Sequence, residues 1–126
     1  MIVHVLRYRF KDGVREADFT ACLQAFQAVG EMDSVLVGVV GPYAGSEPGR
    51  YTHAATYLIT DIAAFERYMN DPVHRRADFV VHPHLAEIDA FDTWDDKDED
   101  LPAKMAAIFQ ARVDADPELA ELIRKI

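Results

Sequence analysis

Along MIVHVLRYRF, residues 1–10, side chains alternate: Ile2, His4, Leu6, Tyr8 and Phe10 share one side of an extended chain, and Val3, Val5, Arg7 and Arg9 share the other. The pattern predicts a strand. KDGV then turns the chain. From 15 to 29 the spacing becomes helical, with Phe19, Leu23, Phe26 and Gly30 recurring and Cys22 beside them. SVLVGVVG (34–41) is apolar and β-branched, a second strand in which Gly38 marks a bulge or kink. GPYAGSEPGR (41–50) has the composition of a loop. YTHAATYLIT (51–60) predicts a third strand with His53, Ala55, Tyr57 and Ile59 on one face. A short helix over 61–70 turns Ile62, Phe65 and Met69 inward. Asp71 then suits an N-cap and Pro72 a first helical position, opening another helix over 72–81. Pro83 disfavours helix at His82 and ends it. AEIDAFDTW (86–94) alternates as a last strand.

This order is that of an α+β, ferredoxin-like βαββαβ sandwich over residues 1–94, with helices on one sheet face. Val3, Val5 and Leu58 make the other face apolar as well, which calls for a partner subunit, a second copy of the chain. Residues 95–126 differ in character. DDKDED (95–100) reads as a solvated acidic linker, and Pro102 and Pro117 open two short helices. Met105, Ile108, Phe109 and Arg112 form a stripe that is apolar but for the arginine; Leu119, Leu122, Ile123 and Ile126 form a fully apolar one. Helices this short are unstable alone and must pack on the domain or on a partner.

Composition narrows the partners. The 126 residues carry 22 acidic and 13 basic side chains, net −9. That balance argues against nucleic acid, which needs a basic face, and against an anionic membrane surface. No apolar run reaches the length of a membrane span, and the alternating N-terminal stretch is not that of a signal peptide, so the expectation is a cytoplasmic protein. The one cysteine, Cys22, sits in an apolar-periodic stretch and reads as a small core residue.

The candidate chemistry lies in RYMNDPVHRRADF, residues 67–79. With Asp71 as cap, His74 falls in the first turn of a helix, where the dipole disfavours an imidazolium and keeps the ring neutral, as a general base requires. Tyr68 lies near the end of the preceding helix, and a tight break brings its hydroxyl beside the His74 ring. A base and a phenol suffice for proton abstraction next to a carbonyl, the phenol stabilising the enolate. His4 and His53 stand on strand faces otherwise apolar, either as satisfied core histidines or at the polar end of a pocket near Tyr68 and His74. A three-histidine metal site from His4, His53 and His74 has no supporting short-range motif, so no metal is expected. Asp89, Asp92, Asp95 and Asp96 read as solvated residues of a strand end and linker, and the glycines of 41–49 form no phosphate loop.

The segments MIVHVLRYRFKDGV, YTHAATYLIT and YMNDPVHRRADFV…P together resemble the stress-responsive dimeric A/B-barrel domain family over residues 1–94. The resemblance implies a ferredoxin-like monomer whose sheet packs on that of a second copy, a dimeric α/β barrel with the helices outside. It implies a small apolar or aromatic ligand between sheet and helices and no cofactor. Tyr68 and His74 resemble the catalytic pair of a family member that closes a polyketide ring by an aldol reaction. The ligand-facing set it implies is His4, Leu6 and Phe10 from the first strand and Tyr51, His53 and Tyr57 from the third. Three readings stay open: a cofactor-independent cyclase, isomerase or monooxygenase-like enzyme, a non-catalytic stress or ligand-binding protein, and an assembly module whose tail mediates higher oligomers.

Overall fold

The computed structural model describes residues 1–125; Ile126, predicted to continue the last apolar stripe, lies outside the described residues. The elements are β1 (Ile2–Phe10), α1 (Glu16–Gly30), β2 (Val37–Pro42), β3 (His53–Ile59), α2 (Ile62–Asn70), α3 (Pro72–Val81), a 3-10 turn (His82–His84), β4 (Leu85–Trp94), α4 (Leu101–Ala115) and α5 (Pro117–Arg124). The sheet order is β2-β3-β1-β4 with every pair antiparallel, which is the ferredoxin-like arrangement.

The register sorts the side chains into two faces. His4 pairs with Tyr57 on one side and Asp92 on the other; Leu6 pairs with Ala55 and Ala90; Tyr8 pairs with His53 and Ile88. These rows face the helices. Their core includes Ile2, Tyr8, Tyr57, Ile59, Phe65 and Leu85, all at most 2 % exposed. Each such side chain contributes about 1.5–3 kcal/mol by leaving water. The opposite face carries Val37, Leu58 and Val3 in one row and Val39, Thr56, Val5 and Phe91 in the next. Val37, Val39 and Phe91 are 46 %, 61 % and 49 % exposed, so this apolar face is uncovered in the single chain.

Several local expectations shift. β2 begins at Val37, three residues later than the apolar run, because 31–36 form turns. Gly38 makes no bulge; its pairing with Tyr57 is regular, and a Cβ there would stand 2.7 Å from the Cα of Gly30. The glycine lets the end of α1 approach the sheet. In α1 the buried stripe is Cys22, Phe26 and Val29, with Leu23 only half-buried. α4 is a fifteen-residue helix rather than a short one. No helix among the described residues is long and apolar enough to cross a membrane.

Candidate functional site

The α2–α3 break is built by capping. Asp61 opens α2 by accepting from the Ala64 amide at 2.9 Å, and Asp71 opens α3 by accepting from the Val73 amide at 2.8 Å, with Pro72 behind it. The carbonyl of Tyr68 belongs to the last turn of α2, where the helix itself leaves acceptors unsatisfied. His74 fills that vacancy from the next helix: its Nδ1–H donates to Tyr68 O at 3.0 Å. The bond fixes the tautomer and leaves Nε2 as the free ring nitrogen. It also sets the His74 and Tyr68 rings 4.5 Å apart.

Between sheet, α2, α3 and α4 lies a cavity of about 540 Å³. Its apolar lining includes Leu6, Phe26, Phe65, Met69 and Ile88. The polar groups in its wall are few. Tyr68 is 0 % exposed, and its hydroxyl is one of the buried side-chain atoms without a partner among the described residues. The His4 ring stands 5.5 Å from the Tyr68 ring, and its Nδ1 meets Asp92 Oδ1 at 2.6 Å across the β1–β4 pair. Asp78, one turn beyond His74, accepts from Arg112 Nη2 at 2.6 Å and faces His82 Nε2 at 3.4 Å and His74 Nε2 at 3.8 Å.

Electrostatics follow from this packing. Burial pushes the His74 imidazole down to about 4; Asp78 opposes the shift and Arg112 adds to it. The ring is therefore neutral near pH 7, as the sequence predicts, but desolvation is the leading cause where the helix dipole was the predicted one. Burial raises the Tyr68 phenol well above its ordinary value, so it stays protonated and able to donate. Burial by itself would raise Asp78, yet the hydrogen bond from His82 and the charges of its neighbours outweigh it and hold the carboxyl below its ordinary value. Cys22 is buried, its thiol pushed up to about 11 by burial and by Asp18, and its Sγ faces Val80 O; it is a core residue.

The structure brings together His4, Leu6, Tyr57, Tyr68 and His74 in the cavity wall. The Tyr57 hydroxyl is committed to Phe26 O at 2.7 Å, so its contribution is its ring. Three predicted residues stand elsewhere. His53 pairs with Tyr8, two rows along β1 from His4, and packs against Phe10 and Phe19 in a separate recess; its Nδ1 meets Thr52 Oγ1 at 2.9 Å. Phe10 lines that same recess. Tyr51 is buried under the guanidinium of Arg7, 4.3 Å from its centroid, among residues of the 43–51 loop. The two-residue repeat of β1 explains the separation: residues sharing a face still spread along about 3.3 Å per position.

Four polar residues join the site that the sequence reading passed over. Asp92 read as solvated, but the register sets it opposite His4. Asp78 and His82 follow His74 at helical spacings of four and eight. Arg112 was visible as the single charge in an apolar stripe, which is a signal that something buried awaits it. Among the described residues no group of three or more His, Cys, Asp or Glu is placed to hold a metal ion.

The sequence profile of the stress responsive A/B barrel domain matches residues 2–95. The chain belongs to that family. The match takes in β1 to β4 and stops where the linker to α4 begins. Solved structures that resemble this A/B barrel domain include a dimeric ferredoxin-like protein of unknown function from Thermobifida fusca, with 22 % identity, TM-score 0.63, and 73 % of this chain and 88 % of that one covered. A ferredoxin-like protein of the same family from Mesorhizobium loti has 18 % identity, TM-score 0.62, and 75 % and 95 % covered. A hydroxynitrile lyase from Passiflora edulis has 13 % identity, TM-score 0.67, and 76 % and 94 % covered. At these identities the likeness is one of fold. No curated protein matches the chain in sequence.

Proposed function

We propose that this A/B barrel domain is a cofactor-independent enzyme that moves a proton next to the carbonyl of a small, largely apolar molecule. The reading rests on one observation above the rest: a fully buried phenol without a partner, in the wall of a cavity, between two imidazoles. A substrate carbonyl accepting from Tyr68 would complete that hydrogen bond and have its enolate stabilised as it forms. The sequence assigns the base to His74. At about 4 its affinity for a proton is low for work near neutral pH. His4 is placed for the role by geometry: Asp92 accepts from its Nδ1 at 2.6 Å, which fixes the tautomer and leaves Nε2 as its free nitrogen. His74 then holds the α2–α3 break and with it the Tyr68 ring. The class covers polyketide-type ring closure and isomerisation.

The enzyme is tested by offering β-keto thioesters, small ketones and quinols to the purified protein and following proton exchange or product. Tyr68→Phe and His4→Gln should each lower kcat by about 10²- to 10⁴-fold, and Asp92→Asn should shift the pH–rate profile as well as lower the rate. Wild-type rates in all three would overturn the assignment. The runner-up is a ligand-binding stress protein, favoured by the low basicity of His74; it predicts binding without turnover. In either case the exposed Val37, Val39 and Phe91 face supports a homodimer, the state described for the Thermobifida relative.

A further inference from the structure

The family profile ends at residue 95, and the three solved relatives are covered over 88 % to 95 % of their own lengths while only 73 % to 76 % of this chain is used. Residues beyond the profile nevertheless form one side of the cavity. Pro102, Met105, Ala106, Phe109 and Arg112 of α4 and Ile123 of α5 all line it. This side is held firmly. Leu101 and Leu119 are each 1 % exposed; Arg112 pairs with Asp78, and Arg75 of α3 pairs with Asp116 at 2.7 Å at the α4–α5 junction.

We propose that this C-terminal extension selects the ligand: α4 closes the cavity so that it admits an uncharged, predominantly apolar molecule and turns away the corresponding carboxylate. The proposal rests on reading the cavity as a ligand site and adds the element that discriminates. Its first ground is shape. Met105 is buried, and Phe109, lining the cavity while 41 % exposed, stands at its rim, so these two side chains limit how long an apolar chain can be. Its second ground is charge. The lining holds two carboxylates, Asp78 and Asp92, and one guanidinium, Arg112. That guanidinium is already opposed by Asp78, both side chains being nearly buried at 7 % and 14 % exposed. An entering carboxylate would lose its water, find the Arg112 charge already taken by Asp78 and face the like charge of Asp92, whereas a ketone loses little and gains Tyr68. Arg112 thus acts through Asp78, as a positioning residue that keeps one charge from standing alone.

Trp94 is the only tryptophan and lines the cavity, so its fluorescence reports occupancy directly. The full chain is titrated with 2-alkanones and with fatty acids of matched carbon number over a range of lengths. The ketones should bind on the order of a hundredfold more tightly than the acids. Phe109→Ala should move the preferred length upward, and its exposure makes the variant safe for folding. Asp78→Asn, which frees the charge of Arg112, should narrow the ketone-over-acid preference by at least about tenfold. Equal binding of ketone and acid by the wild type, an unchanged length optimum in Phe109→Ala, or no response to any member of either series would overturn the proposal. Turnover is not read here. Selective binding without conversion upholds the wall and removes the enzyme; conversion indifferent to Phe109 and Asp78 does the reverse.

Discussion

A buried phenol with no partner costs about 1–3 kcal/mol relative to a satisfied one, and Tyr68 carries that cost with 0 % exposure. If the hydroxyl serves a ligand, removing it relieves the fold while harming function. Tyr68→Phe should therefore keep or raise Tm by a few degrees as its activity falls, and a clear drop in Tm would place the hydroxyl in the structure instead. His74 makes a separate prediction. Its folded value of about 4 lies below the ordinary 6.5, so between these two the unfolded chain binds a proton that the folded one refuses. Stability falls as pH drops from about 6.5 to about 4, by on the order of 3 kcal/mol, and this contribution levels off below. Asp78, held below its ordinary value, adds a further loss at still lower pH. His74→Asn keeps a donor for Tyr68 O but cannot titrate; its urea midpoint should decline less over pH 7 to 4, and a decline equal to that of wild type would refute the assignment. At this scale His4 stands out in the sequence as a polar residue on an otherwise apolar strand face, and Tyr68 and His74 as the pair flanking the Asp71-Pro72 break; the structure adds that the three line one cavity. Asp92 and Asp78 do not stand out, because an acid near a strand end or on a helix looks solvated until a register or a partner helix is known.

Element boundaries were read best where a cap announces them. Asp71-Pro72 opens α3 where predicted, and removing the cap with Asp71→Ala should cost about 1 kcal/mol, visible as a lower thermal midpoint. The same substitution loosens the His74–Tyr68 bond that spans the break, so activity should fall more than stability alone explains. Elements without such signals moved. The predicted strand starts early because Val35 and Leu36 are as apolar as the residues that follow, and only the turns before Val37 separate them. The stripe from Met105 to Arg112 predicts a short helix, whereas α4 runs from Leu101 to Ala115. The arginine standing in that stripe is 8 % exposed, and its charge meets Asp78 on another helix.

At the scale of the molecule, the two apolar faces of one sheet show in the alternation of β1 together with Leu58, and the structure assigns them: helices over His4 and Tyr57, with Val37, Val39 and Phe91 left exposed on the other side. What covers the second face decides whether the site is complete in one chain. Every residue that lines the cavity lies on the helix side of the sheet or in α1 to α5 and the 3-10 turn, so the proposed dimer should not contribute to ligand binding. Val39→Glu combined with Phe91→Glu sets carboxylates in one row of the exposed face, Val39–Thr56–Val5–Phe91. Repeated in the partner, like charges would then meet in a desolvated interface, an arrangement worth several kcal/mol against association. The wild type should sediment as a dimer at micromolar concentration and the double variant as a monomer, with an unchanged far-ultraviolet spectrum and the same ketone affinity read from Trp94. A variant that still dimerises would move the interface elsewhere. A monomer that has lost its ligand would show that the cavity, lined by a single chain, depends on the partner for its shape.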